Sequence, residues 1–111
     1  MGSVSIEDSD KIDIIGTDRA TGNIVLTISD HLDWADERRH LLLLQEKLNA
    51  YLRFLESGQV YESCPEARGH GVIVSVVAQH EMSEAGLSFL ETAKKILEGA
   101  GFALQWRRLQ L

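Results

Sequence analysis

The seven residues Val72-Ile73-Val74-Ser75-Val76-Val77-Ala78 form the longest apolar run of the chain, interrupted only by Ser75. β-Branched side chains occupy both alternating sets of positions, which is the pattern of a strand covered on both faces. A transmembrane helix needs about 20 apolar residues, so this run is far too short to cross a bilayer. We therefore expect a central strand of a sheet and no membrane partner.

The segments on either side of this strand have the periodicity of amphipathic helices. The preceding segment should begin at an N-cap aspartate, Asp33 or Asp36, and end at Ser57-Gly58. The following segment has Ser83 as a predicted N-cap and Gly99 or Gly101 at its end. The apolar positions recur at helical spacing, at Leu41, Leu44, Leu48, Leu52 and Leu55 in the first helix and at Leu87, Leu90, Ala93, Ile96 and Leu97 in the second.

Two β-type runs precede the first helix and a third follows the second. Ile12, Ile14 and Ile15 are joined to residues 24–28 by a turn-rich segment with two glycines, which predicts a hairpin. At the other end of the chain, alternating apolar residues predict a half-buried last strand carrying Phe102, Leu104 and Trp106 on its core side.

The predicted element order is β-β-α-β-α-β, which is an α+β fold. A hairpin followed by two strand-helix-strand crossovers gives a four-stranded mixed sheet with two helices on one face, a two-layer α/β sandwich. Residues 1–10 lack any period and are expected to be a flexible N-terminal arm, residues 59–71 are expected to be a surface loop, and residues 11–111 should form a single domain. The length of 111 residues leaves no room for a second domain.

The chain has a formal net charge of −6, and the acidic excess lies in its first third. Residues 1–40 contain nine acidic and four basic side chains, whereas residues 41–111 contain eight and seven. An acidic chain without a basic cluster repels phosphates, so we expect no nucleic-acid partner. A basic protein partner is the favoured interaction.

Cysteine content and the terminal residues indicate a soluble, cytoplasmic protein. Cys64 is the single cysteine, which excludes an intramolecular disulfide. The N-terminus is polar and acidic where a signal peptide would have an apolar segment after positive charge.

Three runs in the chain resemble a family of short bacterial proteins known only as a domain of unknown function. The runs are VLTISDHLDW at residues 25–34, LLLLQEKLN at residues 41–49 and YLRFLESG at residues 51–58, and weaker similarity extends through the strand from Val72 and the helix around Phe89-Leu90. The resemblance implies a bacterial cytosolic protein. It implies no activity and no functional residues.

The richest polar cluster lies at the junction of the second strand and the first helix. Asp36 and His40 are four residues apart, so on a helix they share a face and could ligate one divalent ion with help from the preceding loop. Helix capping by the aspartates is the favoured interpretation, because Asp is common at helix starts. The candidate binding residues are Asp30, His31, Asp33, Trp34, Asp36 and His40.

Other residues with reactive or binding side chains have simpler explanations. Trp34 could be a binding-surface aromatic, but packing of the helix entry against the core is favoured. Cys64 is interpreted as incidental, because a loop cysteine is a nucleophile only where a neighbour lowers its pKa. No phosphate-binding glycine motif occurs, and we expect no cofactor.

Two functions therefore stand as hypotheses. The favoured one is a small acidic, non-enzymatic interaction module that neutralises a basic partner. The alternative is a small metal-assisted enzyme that uses the aspartates and histidines of the strand-helix junction. We also expect a homodimer, either through an edge strand or through one face of the sheet. That face bears Val25, Thr27, Ala103 and Gln105 with one alternating set of the third strand: Ile73, Ser75 and Val77, or else Val72, Val74, Val76 and Ala78. The alternative is a monomer in which the N-terminal arm or the loop of residues 59–71 covers this face.

Overall fold

The elements follow the predicted order with one addition. A computed structural model of the chain describes residues 14–109. Residues 1–13, which include the predicted arm and Ile12, and residues 110–111 lie outside the described part. The elements are β1 (Ile14–Thr17), β2 (Ile24–Asp30), α1 (Glu37–Glu56), α2 (Gln59–Ser63), β3 (Val72–Ala78), α3 (Glu84–Gly99) and β4 (Ala103–Arg108), with a 3-10 turn at Pro65–Ala67.

The four strands form one mixed sheet in the order β1-β2-β3-β4. β1 pairs with β2 antiparallel, as the hairpin prediction requires, and β2, β3 and β4 run parallel. The register aligns Leu26 with Val74, and Val74 with Leu104. The apolar run from Val72 is therefore an inner strand of the sheet, as expected.

The core lies between the sheet and the two long helices, so the predicted two-layer sandwich is confirmed. The sheet contributes the even-numbered residues of β2 and β3, of which Ile24, Leu26 and Ile28 are fully buried. The helices contribute Leu44, Leu48 and Leu55 from α1 and Leu90, Ala93 and Leu97 from α3. Phe102 and Trp106 are half-buried and pack against this core from its edge.

The other side of the sheet, the open face, is covered by neither helix. It bears alternate residues of the three parallel strands: Val25, Thr27 and Ser29 of β2, Ile73, Ser75 and Val77 of β3, and Ala103, Gln105 and Arg107 of β4. Of the two sets considered for the third strand, Ile73, Ser75 and Val77 is thus the one on this face. Ile73 and Val77 are half-buried.

The helix boundaries agree with the capping signals. Asp36 caps α1 by accepting the Arg39 N–H at 3.1 Å, and Ser83 caps α3 by accepting the Gly86 N–H at 3.1 Å. Gly58, with φ of +83°, follows the end of α1 in the left-handed conformation that glycine adopts readily. Of the two predicted N-caps for α1, Asp36 is correct.

Two details of the predicted helical layer are wrong. Leu87 and Ile96 were expected on the buried side of α3 but are 41% and 57% exposed. The buried face of α3 is therefore narrower than the apolar face of its sequence. Residues 59–71 are not a simple surface loop. Val60 in α2 and Ala67 in the 3-10 turn are buried in the core, which holds this connection against the domain.

None of the helices among residues 14–109 has the length and apolarity that a membrane-spanning helix requires.

Candidate functional site

Asp30 and His40 form a buried pair where β2 ends and α1 begins. The helix-facing position of Asp30 directs its carboxylate under α1, where Oδ2 lies 2.6 Å from Nε2 of His40. Each residue is only 1% exposed. Removal of one partner from such a site leaves the other polar group buried without its hydrogen bond, which costs about 1–3 kcal/mol for a neutral group and about 3–5 kcal/mol for a charged one.

Every polar atom of this pair has a partner within the protein. Nδ1 of His40 is hydrogen-bonded to the backbone carbonyl of Asp33 at 2.9 Å, and Nε2 is hydrogen-bonded to the Asp30 side chain. The remaining Asp30 oxygen, Oδ1, accepts the N–H of Leu32 at 3.1 Å. Both ring nitrogens of His40 are thus engaged, so neither offers a lone pair to solvent or to a metal ion.

The indole ring of Trp34 packs against the Asp30–His40 pair through His40. It stacks on the His40 imidazole with ring centroids 3.7 Å apart and planes 21° apart. Its far edge lies above Gly86 in the first turn of α3, where a Cβ atom would come within 2.6 Å of the ring. Trp34 therefore joins the starts of the two helices, while its Nε1 is buried without a hydrogen-bond partner among the described residues.

Asp33 and Asp36 have structural roles in the same connection. Asp33 Oδ1 accepts the N–H of Ala35 at 3.0 Å, an arrangement typical of an Asx turn. The Asp36 carboxylate is directed at the backbone of Arg39 in the helix cap described above. Although Asp36 and His40 are four residues apart, their side chains point to different partners.

His31 lies on the other side of the sheet from the Asp30–His40 pair. Strand alternation places its neighbour Asp30 under α1 and directs His31 to the open face, where it lines a depression with Ser29 and Arg107. The six sequence-predicted residues are therefore divided: Asp30, Asp33 and Trp34 each contact His40, Asp36 caps the helix and His31 is separate. Arg107 is not among the residues predicted from the sequence, because it lies far from the polar cluster in the sequence. Only the pairing of β4 with β3 brings it to the depression.

No group of three His, Cys, Asp or Glu residues close enough to hold a metal ion occurs in the described part of the chain.

Cys64 has the electrostatics of an unreactive thiol. Its Sγ donates a hydrogen bond to Oε2 of Glu66 at 2.9 Å, and this bond raises the pKa of Cys64, as do desolvation and the negative charge of Glu66. The same bond lowers the pKa of Glu66. A raised thiol pKa reduces the thiolate fraction at neutral pH, and the thiolate is the nucleophilic form.

These features define a two-layer α+β protein whose buried acid–base pair fastens a strand to a helix. The chain belongs to the family of unknown function DUF6572, whose family model matches residues 4–110. The expected resemblance to a domain of unknown function is thereby confirmed. No curated protein and no solved structure matches this chain.

Proposed function

We propose that this chain is a small acidic, non-enzymatic protein-interaction module that binds a basic protein partner. The observation that carries the proposal is the burial of the Asp30–His40 pair. A general acid or base must come within about 2.6–3.2 Å of a substrate atom, directly or through one water. Asp30 and His40 are each 1% exposed with their polar atoms engaged, so we infer that the pair stabilises the fold and performs no reaction.

The charge of the chain supports a basic partner. Residues 1–13 carry four acidic side chains and one basic side chain, which is half of the net charge of −6 of the chain. Residues 14–109 carry thirteen acidic and ten basic side chains. A field of one sign accelerates the association of an oppositely charged protein and falls off with added salt.

The open face supports self-association as a second part of the proposal, with a further copy of this chain as the occupant. Parallel strands are normally covered on both faces, and β2, β3 and β4 are covered by helices on one. Eight of the nine open-face positions are uncharged, Arg107 being the exception. A neutral surface does not repel its own copy, and an interface across a two-fold axis must be complementary to itself.

A location in the bacterial cytoplasm completes the proposal. Cys64 has no second cysteine in the chain to pair with, which is the usage expected of a reducing compartment.

Affinity capture at two salt concentrations tests the basic-partner proposal. The tagged full chain is incubated with bacterial lysate at low salt and at about 1 M salt, where the Debye length is about 3 Å. We expect captured proteins of basic net charge that are released at high salt. Retention of neutral or acidic proteins at 1 M salt would contradict the proposal.

A matched pair of variants makes this test specific to the acidic segment. One variant neutralises Glu7, Asp8, Asp10 and Asp13, and the control neutralises four exposed acidic residues of the helices, Glu46, Glu62, Glu91 and Glu98. Both lose four negative charges. We expect the first variant to capture less of the basic partner than the control does, and equal loss would mean that net charge alone governs the binding.

A further inference from the structure

A small depression lies on the open face where the three parallel strands end. Its volume is about 250 Å³. Ser29 of β2, Val77 of β3 and Arg107 of β4 line it from one row of the sheet, because Ser29 pairs with Val77 and Val77 pairs with Arg107. Side chains held in register by backbone hydrogen bonds form a rigid site. Arg107 is distant from Ser29 in the sequence, and the two residues come close only because β2, β3 and β4 are neighbours in the sheet.

The walls of this depression combine hydrogen-bonding groups with apolar surface. Thr27 provides a hydroxyl and Gln79 a side-chain amide, and Ser29 and His31 also line the polar side. Val77 and Leu109 form the apolar side. Ligand sites commonly have this composition, in which a few polar groups orient a ligand against apolar walls.

The charge of the depression is opposite to that of the chain. Arg107 is exposed on an edge strand, and none of the carboxylates of the described residues lies within ion-pair distance of it. Asp30 also borders the depression, but its carboxylate is on the helix side of the sheet and is held by His40 and Leu32. Among residues 14–109, the depression therefore has a cation and no carboxylate paired with it, in a chain with a net charge of −6.

We propose that this depression binds a small organic anion through Arg107. A guanidinium presents paired N–H donors that match the two oxygens of a carboxylate or a phosphate. The volume of about 250 Å³ is below the roughly 300–1,000 Å³ of sites for drug-sized ligands, so the ligand has one anionic group and a short apolar part. The proposal is independent of the basic-partner function. It requires the strand-end rim of the open face to be accessible, so anion binding competes with the self-association proposed for that face.

NMR titration of the full chain labelled with ¹⁵N tests the proposal. The probes are inorganic phosphate, acetate and butyrate, with sodium chloride at matched ionic strength as the reference. We expect saturable shifts of the Ser29, Val77 and Arg107 amide signals with at least one anion. Tighter binding of butyrate than of acetate would support the apolar wall, and the comparison with phosphate identifies the preferred anionic group.

Two arginine variants distinguish the site from general charge effects. Arg107→Gln removes the proposed anchor, whereas Arg108→Gln removes the same charge from the next residue, which faces the opposite side of the sheet. A hydrogen bond to a charged group contributes about 1.5–3 kcal/mol, so we expect Arg107→Gln to weaken binding about tenfold or more. Arg108→Gln should change it less than twofold.

Three results would overturn the proposal. They are shifts that rise linearly with anion concentration without saturating, shifts of the same size with sodium chloride, and equal affinities in the two arginine variants.

Discussion

At the scale of single residues, the absence of a side chain at Gly86 determines how the helix starts fit together. The ring of Trp34 occupies the space that a side chain at position 86 would need, and the same ring stacks on His40. A Cβ atom at position 86 would lie 2.6 Å from Cη2 of Trp34, closer than non-bonded atoms approach. The three residues Trp34, His40 and Gly86 therefore act as one packing unit.

The first prediction concerns the energy that couples Asp30 to His40. We expect His40→Ala to lower the free energy of unfolding by about 3–5 kcal/mol, because it leaves the Asp30 carboxylate buried without its partner. Residues in direct contact are not additive, so a double-mutant cycle with Asp30→Ala should give a coupling energy of about 0.5–3 kcal/mol. Urea denaturation of the four proteins measures it.

His80→Ala serves as the control for this cycle, since His80 is an exposed histidine in another connection. Its effect should stay within about 0.5 kcal/mol. Additive single effects of Asp30→Ala and His40→Ala would show that the pair is not a structural unit, and would remove the main support for the non-enzymatic proposal.

The second prediction follows from the raised pKa of Cys64. Because Glu66 accepts the thiol hydrogen and repels the thiolate, Glu66→Gln should lower the pKa of Cys64 toward its ordinary value. More thiolate is then present at pH 8, and alkylation by iodoacetamide should be faster. Rates measured from pH 7 to pH 10 should give a lower midpoint for Glu66→Gln than for the wild type.

Glu62→Gln is the charge-matched control for the thiol experiment, because Glu62 is exposed on α2 and the hydrogen bond to Cys64 comes from Glu66. Its alkylation profile should follow that of the wild type. If Glu66→Gln and Glu62→Gln gave the same profile, the specific hydrogen bond would not be the cause of the raised pKa.

At the scale of the elements, the long helices and the inner strands were predictable because their patterns are long. α1 repeats its leucines over about four turns, and burial of Leu44, Leu48 and Leu55 follows that period. α2 has five residues, too few for any period, and it is fixed by burial of Val60 in the core. Tertiary packing that involves one or two side chains leaves no periodic signal in a sequence.

The candidate site was predictable only in part, for the same reason. Capping by Asp36 could be predicted, since it depends on residues three positions apart. The stacking of Trp34 on His40 and the contact with Gly86 depend on the angle between α1 and α3, which no local pattern specifies. Likewise, the opposite directions of Asp30 and His31 require β2 to extend to Asp30, beyond its apolar run.

The third prediction tests the packing of α1. Leu48 is 4% exposed in the core, so Leu48→Ala should lower the free energy of unfolding by about 2–5 kcal/mol through lost burial and the cavity that remains. Leu42, on the same helix, is 55% exposed and provides the control. Leu42→Ala should cost less than about 0.5 kcal/mol. Equal losses in denaturant melts would mean that the rotation of α1 about its axis is incorrect.

At the scale of the whole molecule, the sheet separates two different surfaces. On one side, both long helices bury the apolar set of each inner strand. On the other, the open face spans the three parallel strands at about 4.8 Å spacing and up to seven residues at about 3.3 Å each, a patch of roughly 330 Å². Contiguous patches of a few hundred Å² commonly mark contact sites, but a standard interface buries about 800 Å² on each partner. The open face by itself thus favours a weak dimer.

The final prediction is that the chain forms a homodimer through the open face and dissociates on dilution to micromolar concentrations. Sedimentation equilibrium should give twice the 12.4 kDa mass of the chain at high concentration. Val25→Lys places a charge in the row of the open face that Val25 forms with Ile73 and Ala103, and should give the monomer mass, since a buried unpaired charge opposes association. Gln45→Lys adds the same charge to the exposed surface of α1 and should leave the dimer intact. A monomer mass for the wild type at every concentration would disprove self-association, and a dimer that survives Val25→Lys would assign the contact to β1 or β4, the edge strands of the sheet that residues 14–109 form.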